Sequence, residues 1–253
     1  EATAIGGGHG GSRGLEVGGS AVLQTSREIV EAGKKIAAHK FDVDADKVEF
    51  SEGRFHVPGS NHTMTMLEAI DAQNDPDMLP DDMEPGALNI SSVFERGIIS
   101  IPNGGHAVEV EVDPETGTIK VDGYWVMDDF GTIINPMLAD GQVMGGVAQG
   151  LGQALMENIV YDDGGQLVTG SLMDYAIPRA DDMPRMVIGY YEDAPTAKNL
   201  LGVKGAGEAG CVGAPPAIVN AVCDALKDFG VHHIDMPLTP ERVWRAIEDA
   251  KAS

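Results

Sequence analysis

The sequence predicts an α+β fold, with mixed sheets and packed helices, on three observations. Strand-like alternation and helical 3.6-residue spacing are interspersed without a regular β-α-β rhythm. Turn signals such as Asp113-Pro114-Glu115-Thr116-Gly117 and the run Tyr161-Asp162-Asp163-Gly164-Gly165 separate short strands. A length of 253 residues, 43% hydrophobic and 23% charged, is an ordinary globular composition that can bury a core.

The elements follow in order. Residues 20–39 read as an amphipathic helix, with Val22, Ile29 and Ile36 at seven-residue spacing. Ser20 is its expected cap, and Glu31 with Lys35 an i,i+4 pair on its wet face. Residues 47–57 alternate around Glu52-Gly53 as a hairpin, and 67–72 form a short helix. The stretch 74–89, rich in Asp and Pro, is expected to be an irregular surface segment. Strands follow at 108–112, 119–127 and 186–191, with a further hairpin tip at 161–167. Helices are expected at 137–155, at 215–228 with Pro215-Pro216 in its first turn, and at 239–251. The whole of 1–253 is read as one portion of a larger catalytic domain, with a possible subdomain boundary near 74–104. The chain starts at Glu1, almost inside a loop motif, as expected of a processed chain or of one piece of a larger unit.

The formal charge of −23 argues against binding a nucleic-acid backbone and serves solubility. Two cysteines, Cys211 and Cys223, cannot ligate a four-thiolate iron–sulfur cluster. Cys223 reads as core, and Cys211 as space-filling in preference to a site residue. The seven histidines form no ligand set, and HExxH and CxxC are both missing, so a protein-ligated metal is not expected. No apolar run of about 18 residues and no secretory signal are legible, which goes with a cytoplasmic protein without a membrane span.

Two glycine-rich loops carry the chemistry. Gly202-Val203-Lys204-Gly205-Ala206-Gly207-Glu208-Ala209-Gly210 places one carboxylate among four glycines, with a fifth at Gly213. Glycine lets backbone approach a ligand closely, and a carboxylate held there is a candidate general base whose pKa burial would raise. Gly6-Gly7-Gly8-His9-Gly10-Gly11-Ser12-Arg13-Gly14 lacks the Gly-Lys-Ser/Thr ending of a nucleotide loop. It is either a flexible tail or an anion nest of N–H groups helped by Arg13 and Ser12. Two such loops so far apart in sequence suggest one large ligand gripped from two sides. Between them, Gly141, Gly145 and Gly152 on the 137–155 helix imply close packing against its backbone, expected chiefly at Gly145 and Gly152. Gln142 and Gln149 share one face and suit a polar heterocycle. Gly205 to Gly210 also matches the GxGxxG dinucleotide fingerprint. Against that reading, the helix is expected to start after the third glycine, and only 43 residues follow it.

Five segments then stand in a distinctive order. They are Gly10-Gly11-Ser12-Arg13 with Val17-Gly18-Gly19-Ser20-Ala21, Glu109 to Gly117, Ile134-Asn135-Pro136 with Gly141-Gln142 to Gln149-Gly150, Met173 to Ala180, and Lys204 to Glu208 with Pro216 to Val222. In this order they resemble the C-terminal part of the molybdenum-binding subunit of the molybdenum hydroxylases, the group of xanthine dehydrogenase, aldehyde oxidase and aerobic carbon monoxide dehydrogenase. The resemblance implies molybdopterin, as such or in its cytosine dinucleotide form, and hydroxylation of a heterocycle or aldehyde with water-derived oxygen. It implies Glu208 as the catalytic base and Gln142 as a hydrogen-bond donor to the molybdenum group. Gly11, Ser12, Arg13, Gly14, Lys204, Gly205 and Gly207 would hold the cofactor. The family's upstream cofactor loop and pocket residues have no counterpart here. A second molybdenum-subunit piece, a 2Fe-2S subunit and an FAD subunit are therefore expected as partners. Ala209-Gly210 fits the hydroxylase branches better than the carbon monoxide branch. The rivals are a dinucleotide-dependent oxidoreductase using the 205–210 loop and a cofactor-free accessory or scaffold subunit.

Overall fold

The structure is a computed structural model that describes residues 8–95, 97 and 100–252. Gly6 and Gly7, at the start of the first glycine loop, lie outside the described residues. The chain divides into two compact units. One is built on Gly14–Gly97 and Asn199–Leu201, the other on His9–Arg13, Ile98–Lys198 and Gly202–Ser253.

In the first unit a π-helical turn, Gly14–Gly19, leads into helix α1, Ser20–Phe41. Ser20 does not cap it. Gly19 holds the cap position without a side-chain bond, and Ser20 is buried, its hydroxyl accepting the Leu200 N–H at 3.3 Å. The heptad apolar stripe is real only toward its C-terminal end: Ile36 is fully buried, whereas Val22 is 68% exposed. The expected Glu31–Lys35 pair is replaced by Glu31–Lys34 at 2.8 Å, while Lys35 reaches Asp82 at 3.2 Å. The acidic 74–89 segment is irregular apart from a short 3-10 turn at Pro76–Met78, and that bridge ties it to α1. Strands β1 (Glu49–Ser51), β2 (Arg54–His56) and β3 (Thr63–Thr65) form an antiparallel sheet. Its first turn uses positive φ at Glu52 and Gly53, as a tight hairpin requires. Helix α2, Met66–Ala72, starts with a reciprocal Thr65–Glu68 capping box. Phe55 packs its ring against Gly33 of α1, where a side chain would overlap it.

In the second unit β4 (Asn103–Val112) and β5 (Ile119–Asp129) pair antiparallel, and β6 (Arg185–Tyr190) adds parallel to β5. Sequence spacing places β4 only from Val108. Its first half, Asn103-Gly104-Gly105, has little strand propensity and is extended by pairing with Met127–Asp129. Helix α3, Pro136–Leu155, connects β5 to β6 and so forms one β-α-β crossover within the α+β fold. At 161–167 the chain makes a single bridge, Tyr161 to Leu167. Helix α5, Pro240–Lys251, completes the unit, with the Thr239 hydroxyl accepting from its first turn.

Helix α4 runs from Ala209 to Leu226, six residues earlier than the prolines suggest. Pro215 and Pro216 lie inside it rather than in its first turn, where each removes an N–H from the helix ladder. The helix, with the turn after it to Phe229, is long and apolar enough by length and composition alone to cross a membrane, a test that the core helix of a globular protein also passes. Here it packs on α3 and β4, with Ala214, Ile218, Val222 and Leu226 buried. One core joins Tyr124, Val126 and Phe130 of the sheet to Val143, Val147 and Leu151 of α3 and Ala214 and Ile218 of α4. A second joins Val222 and Leu226 to Leu238, Val243 and Ile247. Both cysteines are half-buried.

The crossing of α3 and α4 corrects the expected role of the glycines. Gly141 and Gly145 face open space. Gly146 and Gly150 make the contact: a Cβ on Gly146 would lie 2.8 Å from the Cys211 nitrogen, and one on Gly150 2.5 Å from the Ala214 Cβ. Gly152 packs not on α4 but on the Glu157 side chain and Pro178. Gly145→Ala is therefore expected to raise stability by about 1 kcal/mol, by helix propensity alone. Gly146→Ala, one residue on, is expected to lower it by about 1–3 kcal/mol through overpacking. Paired denaturant melts check the opposite signs.

Candidate active site

The glutamate loop is held at its entry, its middle and its exit. Its entry is pinned to the end of β5: Thr132 N–H donates to Gly202 O at 3.0 Å and Lys204 N–H to Phe130 O at 2.7 Å. In its middle, Gln142 Nε2 donates to Gly207 O at 2.6 Å. Its exit is the start of α4, where Glu208 holds the N-cap position. Negative charge is favoured there by the helix dipole.

The two glycine loops of the second unit meet at Ser12. Gly11 and Ser12 both have positive φ, 59° and 56°. That conformation is uncommon for serine. A Cβ on Gly205 would lie 2.7 Å from the Ser12 Cβ, and one on Gly207 2.7 Å from the Ser12 Oγ. Glycine is thus required at 205 by the approach of the other loop, whereas at 207 the close atom is the movable Ser12 hydroxyl. Gly11, Ser12, Gly205 and Glu208 line one cavity of about 390 Å³, together with Ser100–Gly104, His106, Asp128, Ala209, Val212 and Gly213. Glu208 is exposed on the wall of this cavity, not buried as the loop composition suggests. The small residues around it leave room for a ligand but also let water in.

The other predicted site residues are placed as follows. Gln142 is exposed on α3 beside the loop it bonds. Arg13 is half-buried next to Ser12 and does not line the cavity, and Gly14 begins the π-helical turn of the first unit. Lys204 turns away from the cavity. Its ammonium lies 2.5 Å from Asp129 Oδ2, the side chains 13% and 15% exposed. Met144 is partly exposed on α3, and the Tyr175 hydroxyl donates to Glu157 at 2.6 Å. His106 and Asp128 are cavity residues that the sequence reading passed over. A His after two glycines and the first of two aspartates at a strand end carry no local motif.

Burial pushes the Asp129 carboxyl up, but the Lys204 hydrogen bond, the Gly131 N–H and the lysine charge outweigh it and hold it below its usual value. A depressed folded pKa stabilises above the unfolded value and is lost as pH falls through the folded one. Lys204→Met is therefore expected to cost about 1–3 kcal/mol near neutrality, between the limits for exposed and buried pairs. The difference from wild type should shrink below about pH 4, as Asp129 protonates. Melts of both proteins across that range check this.

Among the described residues no group of three or more His, Cys, Asp or Glu could hold a metal ion. The loop also departs from the dinucleotide pattern, although α4 does begin inside the GxGxxG run. The residues before it form only the isolated Gly131–Val203 bridge, and the sheet of this unit has three strands with one parallel pair. A doubly wound parallel sheet would be needed.

A cavity floored by glycines, with one carboxylate at a helix start and no metal-ligand set, is the kind of site that accepts an organic cofactor. The family model of the molybdopterin cofactor-binding domain matches residues 1–184. The chain belongs to that family and, with it, to the molybdenum hydroxylases. The nicotine 6-hydroxylase large subunit of Paenarthrobacter nicotinovorans is 36% identical over 245 residues, covering 96% of this chain and 30% of that protein. The carbon monoxide dehydrogenase large chain of Hydrogenophaga pseudoflava is 33% identical over 241 residues, covering 94% and 29%. Among solved structures, quinoline 2-oxidoreductase from Pseudomonas putida 86 superposes with a TM-score of 0.87 at 36% identity, over 96% of this chain and 31% of that one. The chain thus spans about 30% of the length of these relatives. The identities are close to one another, so likeness alone does not choose between heterocycle and carbon monoxide chemistry.

Proposed function

We propose that this chain supplies the general base and part of the cofactor cradle of a molybdenum enzyme that hydroxylates a heterocycle or aldehyde with oxygen derived from water. The supporting observation is the convergence of Glu208, Ser12 and Gly205 on one cavity from loops nearly two hundred residues apart.

The residues present fit molybdopterin. Gly205 and Gly207 offer bare backbone, Gly11 and Ser12 a left-handed pair whose N–H groups suit a phosphate, and the cofactor brings its own ligands for the metal. When bound, it supplies molybdenum on dithiolene sulfurs and with it the redox capacity. The protein's part is to orient and to move protons. Glu208 accepts the proton of the attacking oxygen, from a backbone held by its entry strand, by Gln142 and by α4. Gln142 positions the loop through Gly207 O, and the second N–H of its amide would be the donor for the molybdenum group. Lys204 acts on the same loop through Asp129. Gly11 and Ser12 hold the pterin and its phosphate, on the loop that Arg13 continues.

A second piece of the molybdenum subunit completes the pocket, and electrons leave through 2Fe-2S and FAD subunits. The cofactor is molybdopterin or its cytosine dinucleotide. Ala209-Gly210 after the base favours a hydroxylase over carbon monoxide oxidation. Elemental analysis of the protein purified with its partners tests the reading. Molybdenum with releasable pterin, and iron and flavin in the companion chains, is the expected result; cytidine monophosphate on hydrolysis would mark the dinucleotide form. Nicotinamide without molybdenum would favour a dinucleotide enzyme, and neither cofactor an accessory subunit.

A further inference from the structure

The cavity has a second polar wall that the reading above leaves unused. His106 on β4 and Asp128 on β5 are buried, their side chains 6% and 2% exposed, with His106 Nε2 3.7 Å from Asp128 Oδ1. His106 Nδ1 lies 2.8 Å from the hydroxyl of Tyr124, which is wholly buried. Burial, and then the charge of Asp128, push the Tyr124 hydroxyl well above its usual pKa. The hydroxyl stays protonated and shares one hydrogen bond with Nδ1, while Nε2 faces the carboxylate.

The other carboxylate oxygen, Asp128 Oδ2, is buried with no hydrogen-bond partner. An unmet buried acceptor on a charged group is costly. The surrounding backbone is nevertheless shaped to keep the pair. A side chain at Gly104 would overlap Asp128 Oδ1, and one at Gly213 would lie 2.5–2.6 Å from three atoms of the His106 ring. Gly104, His106, Asp128 and Gly213 all line the same cavity as Ser12 and Glu208.

We propose that Asp128 is the anchor for a planar heterocycle bound in this cavity through an N–H donor edge, with His106 and Tyr124 holding the carboxylate in place. A carboxylate with one oxygen 3.7 Å from an imidazole nitrogen and the other buried without a hydrogen-bond partner favours a lactam or amino-substituted ring over one that presents only acceptors. Two molecules carry such an edge. One is the aminopyrimidinone ring of a pterin, and on that source the inference rests on the molybdopterin reading. The other is a substrate heterocycle.

Asp128→Asn tests it in the protein purified with its partners. The substitution keeps the shape and replaces one carboxylate oxygen by an amide donor. Retained pterin is read by fluorescence after oxidative release, and molybdenum by mass spectrometry. Binding of hypoxanthine and of 1-methylhypoxanthine, in which one lactam N–H is blocked, is read by equilibrium dialysis. Loss of one hydrogen bond to a charged group predicts a drop of roughly tenfold or more. A drop in retained pterin and molybdenum assigns the edge to the cofactor. Unchanged pterin, with hypoxanthine weakened and its methylated analogue unaffected, assigns it to the substrate. Unchanged binding in both arms overturns the anchor. If the variant does not fold, Val212→Trp closes the same cavity from a rim position that is 72% exposed. It should produce the same loss, and full retention there overturns the proposal too. The two readings fail separately: normal turnover in Glu208→Gln removes the base, whereas retained ligand in Asp128→Asn removes only the anchor.

Discussion

Replacing Glu208 by glutamine should lower turnover by roughly 10²–10⁴ while leaving molybdenum and pterin at wild-type levels. The amide has nearly the shape of the acid and keeps the N-cap position of α4, so the loop has no reason to move. Its backbone restraints, Thr132 to Gly202 O, Lys204 to Phe130 O and Gln142 to Gly207 O, do not involve the substituted side chain. Only the capacity to take up a proton is lost. Single-turnover rates at matched cofactor loading separate this from a binding defect. A fall in turnover that merely tracks lost molybdenum would assign Glu208 to the cradle instead of the chemistry.

The largest structural effect is expected at Gly210. Any Cβ there would overlap the carbonyl of Val143 and lie 2.9 Å from the nitrogen of Val147. Both are backbone atoms of α3, which cannot swing aside as a side chain can. Gly210→Val should therefore push α4 off α3 and cost about 3 kcal/mol, at the upper end of ordinary overpacking penalties. Because α4 begins one residue after Glu208, the displacement should also misplace the base and loosen the Gln142–Gly207 bond. Stability and turnover should fall together, in contrast to Glu208→Gln, in which only turnover falls. Denaturant melts and cofactor analysis of the two variants side by side distinguish the cases.

Much of this was legible in the sequence because it is written locally. The span of α1, the β1–β2 hairpin at Glu52-Gly53 and the β4–β5 ribbon around Asp113–Gly117 follow from periodicity and turn chemistry. What was misread depends on partners distant in sequence. Asn103 to Gly105 become strand only because β5 offers a ladder. Ser20 is buried beneath Leu200 instead of capping α1. Gly146 and Gly150, not Gly145, face α4, a distinction of one helical step that composition does not encode. In the site, Glu208 and the glycines beside it were visible as a motif. The approach of Ser12 to Gly205 and Gly207, which explains the glycine at 205, is legible only as two loops sharing a ligand. His106, Asp128 and Tyr124 were missed because strand register alone brings them together.

The central claim is that Glu208 lies beside a molybdenum centre cradled by the two glycine loops. Anomalous diffraction at the molybdenum edge, from crystals of the protein purified with its partners, tests this most directly. The expected result is a single peak within the cavity that Ser12, Gly205 and Glu208 line. A peak on another face of the chain, or a loaded enzyme with this cavity filled by protein side chains, would contradict it.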